Sequence, residues 1–142
     1  MMVYPKQLIF LGTILQKNNN SFSIITVCYN SEKTIEATLL SVLNQTYKNF
    51  EYIIVDGKSS DATLSIINKY KNKIDKIISE KDQGIYDALN KGIAISKNDI
   101  IGFLHSGDVF TDDKILAEYN KNFNSEIDIL FSNLKIINYK NN

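Results

Sequence analysis

The sequence predicts an α/β fold in which a mainly parallel sheet carries helices on both faces. Strand-like and helix-like segments alternate at short intervals along the chain, which is the pattern of successive β-α-β units. The predicted strands are nearly continuous apolar runs, as expected for parallel strands that are covered on both sides. The length of 142 residues suits one domain with a buried core.

The chain divides at three consecutive asparagines into an N-terminal extension, residues 1–20, and a domain, residues 21–142. The extension contains an apolar run, Leu8–Leu15, which has only Lys6 as a basic residue ahead of it and lacks the small-residue cleavage site of a signal peptide. The run is interpreted as a strand, a leader, a surface-docking segment or a poorly packed extension. No stretch reaches the ~18–20 apolar residues of a membrane-spanning helix.

The first predicted unit is a strand, Ser23–Tyr29, followed by a helix. The strand is rich in apolar and β-branched residues. Asn30 or Ser31 is placed to cap the helix, because such side chains accept the free amide hydrogens of a first turn. Apolar residues then recur at helical spacing and predict the inner face of the helix. These residues are Ile35, Leu39, Val42 and Leu43.

The next two units repeat this arrangement. Phe50–Val55 is the second predicted strand, and Ser60 or Asp61 is placed to cap the helix that follows it. Lys76–Ser79 is a short third strand, and the third helix extends to about residue 96. The apolar stripes predict the inner faces of the two helices. They consist of Leu64, Ile67 and Tyr70 in the second helix and of Tyr86, Leu89 and Ile93 in the third.

The last predicted elements follow the apolar run Ile100–Leu104, which is the fourth strand. Thr111 is placed to cap a helix, and Asp128–Ile137 is one long strand or a bent pair. The predicted inner face of the fourth helix consists of Ile115, Leu116, Tyr119 and Phe123.

Composition and charge narrow the classes of function. Sixteen Lys and Arg residues balance sixteen Asp and Glu residues, which argues against binding of nucleic acid through bulk charge. Cys28 is the only cysteine, so an intrachain disulfide is excluded and a reducing, cytoplasmic setting fits. Because a thiol inside an apolar strand behaves as a small hydrophobe, Cys28 is assigned no chemistry.

Polar residues follow each of the four predicted parallel strands at the point where the strand ends. Ligands of open α/β sheets bind beyond the carboxyl ends of the strands, so these residues are expected to share one edge. They suggest a site that holds a divalent metal or accepts hydrogen bonds from hydroxyl groups. Strand by strand, they are Tyr29 and Asn30; Asp56, Gly57 and Ser59; Glu80, Lys81 and Asp82; and Ser106, Gly107 and Asp108.

Each of these residues also has a purely structural interpretation. Asp56 with its following glycine, and the segment Asp82–Gly84, are common turn sequences. Asp108 can cap the next segment, and Tyr29 can simply cover the core. His105, the single histidine, is a candidate base or metal ligand, but a structural role at the end of a strand is favoured.

Two long blocks resemble family 2 glycosyltransferases, which have the Rossmann-like GT-A fold. The block "SIITVCYNSEKTIEATLLSVLNQTYKNFEYIIVDGKSSDAT", Ser23–Thr63, resembles the opening of such domains. The block "SEKDQGIYDALNKGIAISKNDIIGFLHSGD", Ser79–Asp108, resembles the next part, especially in the branch that acts on bacterial surface polysaccharides. The resemblance implies a hexosyltransferase-like enzyme that moves a sugar, with inversion, from a nucleotide-sugar donor to a glycan or lipid-linked acceptor.

The same resemblance implies a cytoplasmic setting, at the inner face of the membrane where there is peripheral membrane contact, and roles for several residues. Tyr29 matches the position that stacks on or borders the nucleobase, and Asn30 follows it in the nucleotide-sugar site. Asp56 matches the acid that contacts the base, and Asp82 lies in the loop near the nucleotide.

Ser106, Gly107 and Asp108 occupy the place of the family's Asp-x-Asp signature. The resemblance implies that Asp108, the last acid, coordinates a divalent cation, Mg²⁺ or Mn²⁺, bound to the donor diphosphate. Such hard cations prefer oxygen ligands and neutralise the charge of the leaving group. Ser106 replaces the first acid and keeps a hydroxyl for hydrogen bonding, and Gly107 allows a close approach of the turn to the phosphates.

The family's general base is expected in the second part of the domain, after the strand that corresponds to Asp128–Asn138. Glu126 and Asp128 precede or begin this strand, and neither is assigned as the base. The chain is therefore expected to be a donor-binding half without its acceptor half. Three hypotheses follow: a glycosyltransferase, a donor-binding module without transfer activity, and a receiver-type signalling domain phosphorylated on Asp56, which leaves Ser79–Asp108 unexplained.

Overall fold

The computed structural model describes residues 9–11, 19–98, 100–123 and 129–131, and within these ranges it contains six strands and four α-helices. The strands are β1 (Ile9–Leu11), β2 (Phe22–Cys28), β3 (Phe50–Asp56), β4 (Lys76–Ser79), β5 (Ile100–Phe103) and β6 (Ile129–Phe131). The helices are α1 (Ile35–Leu43), α2 (Thr63–Lys69), α3 (Ile85–Ile95) and α4 (Ile115–Asn122), and a short 3₁₀ helix spans Lys71–Lys73.

The strands form one sheet in the order β4-β3-β2-β5-β1-β6. The four strands β4, β3, β2 and β5 are parallel, and β1 runs antiparallel to both β5 and β6. The predicted mainly parallel α/β sheet is therefore confirmed. Of the interpretations of Leu8–Leu15, the strand is confirmed for Ile9–Leu11, while the predicted strand Asp128–Ile137 lies outside the described residues except for β6.

The side chains of β2 alternate between two cores, one on each face of the sheet. Ile24 and Cys28 face a core that includes the inner sides of α1, α2 and α4. Ile25 and Val27 face a second core, which includes Ala88 of α3. All seven residues of β2 are buried. Helices on both faces explain why this strand is apolar along its whole length.

Three of the predicted helix faces point to the core as expected. Residues of each face are buried, and most of the others pack partly buried against the same core. The buried ones are Ile35, Leu39, Val42, Ile67, Leu116, Tyr119 and Phe123, and the partly buried ones are Leu43, Tyr70 and Ile115.

The predicted face of α3 is wrong for Tyr86, which is 80% exposed, and for Ile93, which is 38% exposed, whereas Leu89 packs partly buried against the second core as expected. The buried residues of the helix are Ala88 and Gly92. A Cβ atom on Gly92 would lie 2.6 Å from Cγ2 of Ile25 in β2. At Gly92 the helix lies so close to the sheet that a larger side chain does not fit between them.

The predicted helix caps also differ from the structure. The amides of Thr34 and Ile35 donate to the carbonyl oxygen of Ser31, at 3.0 and 2.9 Å, so a backbone turn precedes α1 and no side chain caps it. For α2, the carboxylate of Asp61 accepts the amide of Thr63 at 2.9 Å, although Ala62 is the N-cap residue. Helix α4 begins after Lys114 rather than at a cap on residue 111.

Candidate functional site

The loops that follow the parallel strands are hydrogen-bonded to the carboxyl ends of neighbouring strands. On either side of β2, Gly57 N donates to the carbonyl of Cys28 at 2.9 Å and Ser106 N donates to that of Val27 at 3.2 Å. Glu80 N donates in the same way to the carbonyl of Asp56 at 3.1 Å. The ends of β3 and β5 therefore flank β2 about 10 Å apart, two strand spacings. The predicted polar residues share one edge of the sheet.

Asp56 lies at the end of β3 beneath the surface of this edge, with no solvent exposure. Its carboxylate accepts hydrogen bonds from the amide of Ser59 (3.1 Å to Oδ2), the hydroxyl of Ser59 and the hydroxyl of Ser79 (2.7 Å). A buried carboxylate requires such donors to offset its lost hydration. Asp56 thus connects the loop after β3 to the end of β4, and its contact with a nucleobase stays a prediction.

The thiol of Cys28 lies beside Asp56, with its sulfur 3.8 Å from Oδ1 of the carboxylate. Burial, together with the negative charge of Asp56, raises the pKa of Cys28 far above the range of a reactive thiol. The thiol is a buried hydrogen-bond donor to Asp56 and to the carbonyl of Val55.

Above Asp56, three residues from successive loops meet, and we call them the tyrosine cluster: Tyr29, Gly57 and Asp82. The ring of Tyr29 follows β2 and is 63% exposed. A Cβ atom on Gly57 would lie 2.5 Å from Oδ2 of Asp82 and 3.4 Å from Cδ2 of Tyr29. The bare backbone of the glycine allows a carboxylate and an aromatic ring to approach the same point.

Asn30 joins two loops of the site. It has a φ of 45°, in the left-handed region that asparagine tolerates better than most residues. Its amide donates to the hydroxyl of Ser59 at 2.9 Å, and its Oδ1 accepts the amide of Ser60 at 2.9 Å. Lys58, in the opposite loop, also has a positive φ, 61°. Two strained residues in facing loops are typical of a functional site.

The loop that carries Asp82 is held by α3 through Lys91. The ammonium group of Lys91 lies 3.0 Å from Oε1 of Glu80 and 3.2 Å from Oδ2 of Asp87, and it donates to the carbonyl of Lys81 at 2.9 Å. The hydrogen bond with Glu80, followed by the interaction with Asp87, raises the pKa of Lys91. Asp82 itself accepts the amide of Gly84 at 3.0 Å.

The turn after β5 presents Ser106, Gly107 and Asp108. The amide of Asp108 donates to the carbonyl of His105 at 2.9 Å, and Gly107 has a φ of 94°. A positive φ at the third residue of a β-turn is the requirement of type II, which glycine meets without strain. His105 thus takes part in closing the turn through its backbone. The hydroxyls of Ser106 and Thr34 lie 3.4 Å apart.

The turn suits a cation that takes few ligands from the protein. Among the described residues no group of three or more His, Cys, Asp or Glu side chains could enclose a metal ion. Asp108 would provide a single carboxylate, with the hydroxyl of Ser106 in the same turn. Mg²⁺ is commonly bound by one or two carboxylates together with substrate phosphates and water. The donor set therefore fits such a cation.

The sequence placed Ser59 at this edge without predicting its hydrogen bond to Asp56, and it did not single out Ser79, which also bonds Asp56, or Thr34 beside Ser106. A hydroxyl residue directly after or at the end of a buried strand was the available signal. Serine is so common in loops that this signal does not stand out. Among the helices of the described ranges, none has the length and apolarity to cross a membrane.

Residues 23–142 match the family model of glycosyl transferase family 2. The chain is 32% identical over 117 residues to the UDP-Glc:alpha-D-GlcNAc-diphosphoundecaprenol beta-1,3-glucosyltransferase WfgD of Escherichia coli. The matched region covers 82% of this chain and 46% of WfgD. The chain thus spans less than half the length of this curated relative.

Two solved structures have the same fold. The crystal structure of S. aureus TarS 1–349 in complex with UDP-GlcNAc superimposes with a TM-score of 0.65 at 29% identity, over 71% of this chain and 30% of TarS. The mannosyltransferase PcManGT of Pyrobaculum calidifontis, in complex with GDP-Man and Mn²⁺, gives a TM-score of 0.65 at 20% identity, over 75% of this chain and 33% of that protein.

A receiver domain is inconsistent with these matches and with the complete burial of Asp56, which would have to accept the phosphoryl group. The order of the parallel strands, the acidic and hydroxyl groups at their carboxyl ends and the matched length lead to one assignment. This chain is a member of glycosyltransferase family 2 and has the GT-A fold.

Proposed function

We propose that this chain binds a UDP-sugar at the carboxyl ends of its parallel strands and serves in sugar transfer to a lipid-linked or glycan acceptor of a bacterial surface polysaccharide. The observation that carries the proposal is that the tyrosine cluster and the Ser106–Asp108 turn lie at the same edge of the sheet, on either side of the end of β2. WfgD is named for UDP-glucose and a diphosphoundecaprenol acceptor, and TarS is crystallised with UDP-GlcNAc. The donor-binding domain is proposed to span residues 21–142.

In this proposal the uracil ring lies on the exposed ring of Tyr29, since base–aromatic stacking is sequence-tolerant and contributes about 1–3 kcal/mol. Asp82, which approaches the same point of Gly57 as the ring of Tyr29, accepts hydrogen bonds from the nucleoside. Asn30 keeps the loops after β2 and β3 together through its bonds to Ser59 and Ser60. Asp56 supports the same loop from below, and we propose that it reaches the base through a small displacement of that loop.

At the other side of β2, Asp108 holds Mg²⁺ or Mn²⁺, with the hydroxyl of Ser106 as a second oxygen donor in the same turn. The cation supplies charge neutralisation for the diphosphate leaving group. Gly107 leaves room for the phosphates, because it has no Cβ and is exposed. Transfer is proposed to invert the anomeric centre, at the cytoplasmic face of the membrane where a lipid-linked acceptor is available through peripheral contact.

The proposal is tested by calorimetric titration of the chain with UDP, in Mn²⁺ and in EDTA. We expect UDP to bind more tightly with Mn²⁺, and we expect Asp108→Asn to abolish that difference while leaving binding in EDTA intact. Asp113→Asn is the matched control, because it removes an exposed carboxylate from the same loop region. Retention of the Mn²⁺ effect in Asp108→Asn would contradict the assignment of the cation to this residue.

A donor-binding module without transfer is the second candidate function. The two are separated by incubating the chain with UDP-glucose and a GlcNAc-diphospholipid and measuring released UDP. Release that depends on the acceptor supports transfer by this chain. Metal-dependent UDP binding without release supports the module.

A further inference from the structure

Helix α1 and the chain just after it carry a row of polar side chains, Thr38 and Ser41 in the helix and Gln45 beyond its end, which we call the polar ladder. We propose that the polar ladder positions the Ser106–Asp108 turn for the cation, so that α1 acts as a template for the metal-binding segment. The inference rests on the proposed function, because the cation is part of it. The residues of the polar ladder are positioning residues, because they contact the segment that contains Asp108 rather than the donor.

The ladder is hydrogen-bonded to four residues of the segment from Gly107 to Leu116. Thr38 and Ser41 lie about one turn apart in α1, Gln45 lies two residues beyond the end of the helix, and Thr46 continues the series with a bond to a fifth residue. The bonds run from Gly107 N to Thr38 Oγ1 (3.0 Å), from Phe110 N to Ser41 Oγ (3.2 Å), from Gln45 Nε2 to Asp112 O (2.7 Å), from Leu116 N to Gln45 Oε1 (3.0 Å) and from Thr46 N to Asp113 O (2.7 Å).

Each ladder side chain is also oriented by the helix itself. The hydroxyl of Thr38 donates to the carbonyl of Thr34 at 3.5 Å, that of Ser41 donates to the carbonyl of Thr38 at 2.8 Å, and Nε2 of Gln45 donates to the carbonyl of Ser41 at 3.1 Å. A hydroxyl that donates its hydrogen to a carbonyl of the helix keeps its oxygen lone pairs free to accept a further hydrogen bond. The rungs therefore offer fixed acceptors to the amides of Gly107 and Phe110.

Burial shows that these polar residues are not incidental. Thr38 and Gln45 have no solvent exposure, Thr38 on the same helix as the core residues Leu39 and Val42 and Gln45 just beyond the end of that helix. Polar groups in such a place are unfavourable unless they are hydrogen-bonded. Thr38 accepts a hydrogen bond from the amide of Gly107, the residue directly before Asp108. Thr38 therefore fixes the backbone from which the carboxylate of Asp108 extends.

The test measures Mn²⁺ affinity at saturating UDP in the full chain, by calorimetry, for Thr38→Val and Thr38→Ser. Valine keeps the shape but removes the acceptor of Gly107 N, and we expect about tenfold weaker Mn²⁺ binding, equivalent to about 1.4 kcal/mol. Serine restores the hydroxyl, and we expect affinity within about twofold of the wild type. UDP affinity in EDTA is expected to be unchanged in both variants.

Thr26→Val is the matched control, because Thr26 is another fully buried threonine whose hydroxyl lies 3.0 Å from that of Tyr52, within β2 and β3. It is expected to lower the melting temperature like Thr38→Val and to leave Mn²⁺ affinity unchanged. If Thr38→Val does not fold, Ser41→Ala removes the next rung, and we expect about threefold weaker Mn²⁺ binding.

The outcomes separate the ladder from the proposed function. A wild-type chain that binds UDP without any effect of Mn²⁺ overturns both. A wild-type Mn²⁺ effect that Thr38→Val and Ser41→Ala leave unchanged overturns the ladder alone. An equal loss of Mn²⁺ affinity in Thr26→Val would also overturn the ladder, because general destabilisation would then explain the result.

Discussion

At the scale of single residues, two glycines determine the shape of the site for different physical reasons. Gly107 has a φ of 94°, which side-chain-bearing residues adopt only with strain. Gly57 has no such backbone requirement, but a Cβ there would meet the carboxylate of Asp82 at 2.5 Å. The first glycine is needed for its backbone conformation and the second for the space that it leaves.

Gly107→Ala is expected to lower stability by about 1 kcal/mol and to weaken Mn²⁺ binding at saturating UDP, because alanine resists a positive φ. Gly84→Ala is a matched control: it has a φ of 114° and no atom within 4 Å of the added Cβ, yet it precedes α3 rather than the Ser106–Asp108 turn. Thermal melts and Mn²⁺ titrations should show a similar loss of stability in both variants and a loss of affinity only in Gly107→Ala.

Gly57→Ala is expected to weaken UDP binding about tenfold in EDTA, since the methyl group displaces Asp82 from the tyrosine cluster and narrows the approach to Tyr29. Calorimetric titration with UDP measures the effect. An unchanged dissociation constant would show that the nucleoside does not use this cluster.

At the scale of elements, α3 is placed by close packing at Gly92 and Ala88, with Leu89 partly buried against the same core. The backbone of Gly92 contacts Ile25 of β2, and Ala88 is buried in the same core. Lys91 of α3 in turn holds the loop before the helix, and this loop contains Asp82. The position of α3 on the sheet therefore affects the candidate site.

Gly92→Val is expected to destabilise the fold by about 2 kcal/mol, because a well-packed contact cannot accept the added methyl groups. Tyr86→Ser is the comparison, since the side chain of Tyr86 is 80% exposed and its loss is expected to change stability by about 0.5 kcal/mol or less. Denaturant unfolding measures both. A larger loss of stability in Tyr86→Ser than in Gly92→Val would contradict this packing and would support Tyr86 as part of the inner face of α3.

At the scale of the whole molecule, the two edges of the parallel sheet have different roles. The carboxyl edge carries the candidate site, while near the amino edge the buried Glu51 joins β3 to its neighbours. Its carboxylate accepts the hydroxyl of Ser23 at 2.6 Å and the amide of Lys97, and lies 3.3 Å from the ammonium group of Lys76. The network connects β2, β3, β4 and the end of α3.

Burial alone would raise the pKa of Glu51, but the hydrogen bonds from Ser23 and Lys97 and the charge of Lys76 outweigh burial and lower it. A pKa lowered by folding contributes stability above the unfolded pKa, and that stability is lost as the pH falls through the folded pKa. Glu51→Gln is therefore expected to cost about 1–2 kcal/mol at pH 7.

The difference in unfolding free energy between wild type and Glu51→Gln should shrink as the pH falls from the ordinary glutamate pKa of about 4.3 through the lowered pKa of folded Glu51. Chemical denaturation from pH 3 to pH 7 measures it, and Glu118→Gln, at an exposed position of α4, should show no comparable trend. A difference that stays constant over this range would contradict the role of the charge.

The sequence by itself determined the alternation of strands and helices, the apolar faces of α1, α2 and α4, and the edge at which polar residues collect. These features are local, because periodicity along the chain reports which side of an element is buried. The face of α3, the meeting of Gly57 with Asp82, and the polar ladder were decided only in the tertiary structure. Each depends on the distance between segments far apart in sequence, and no spacing of residues along the chain encodes that distance.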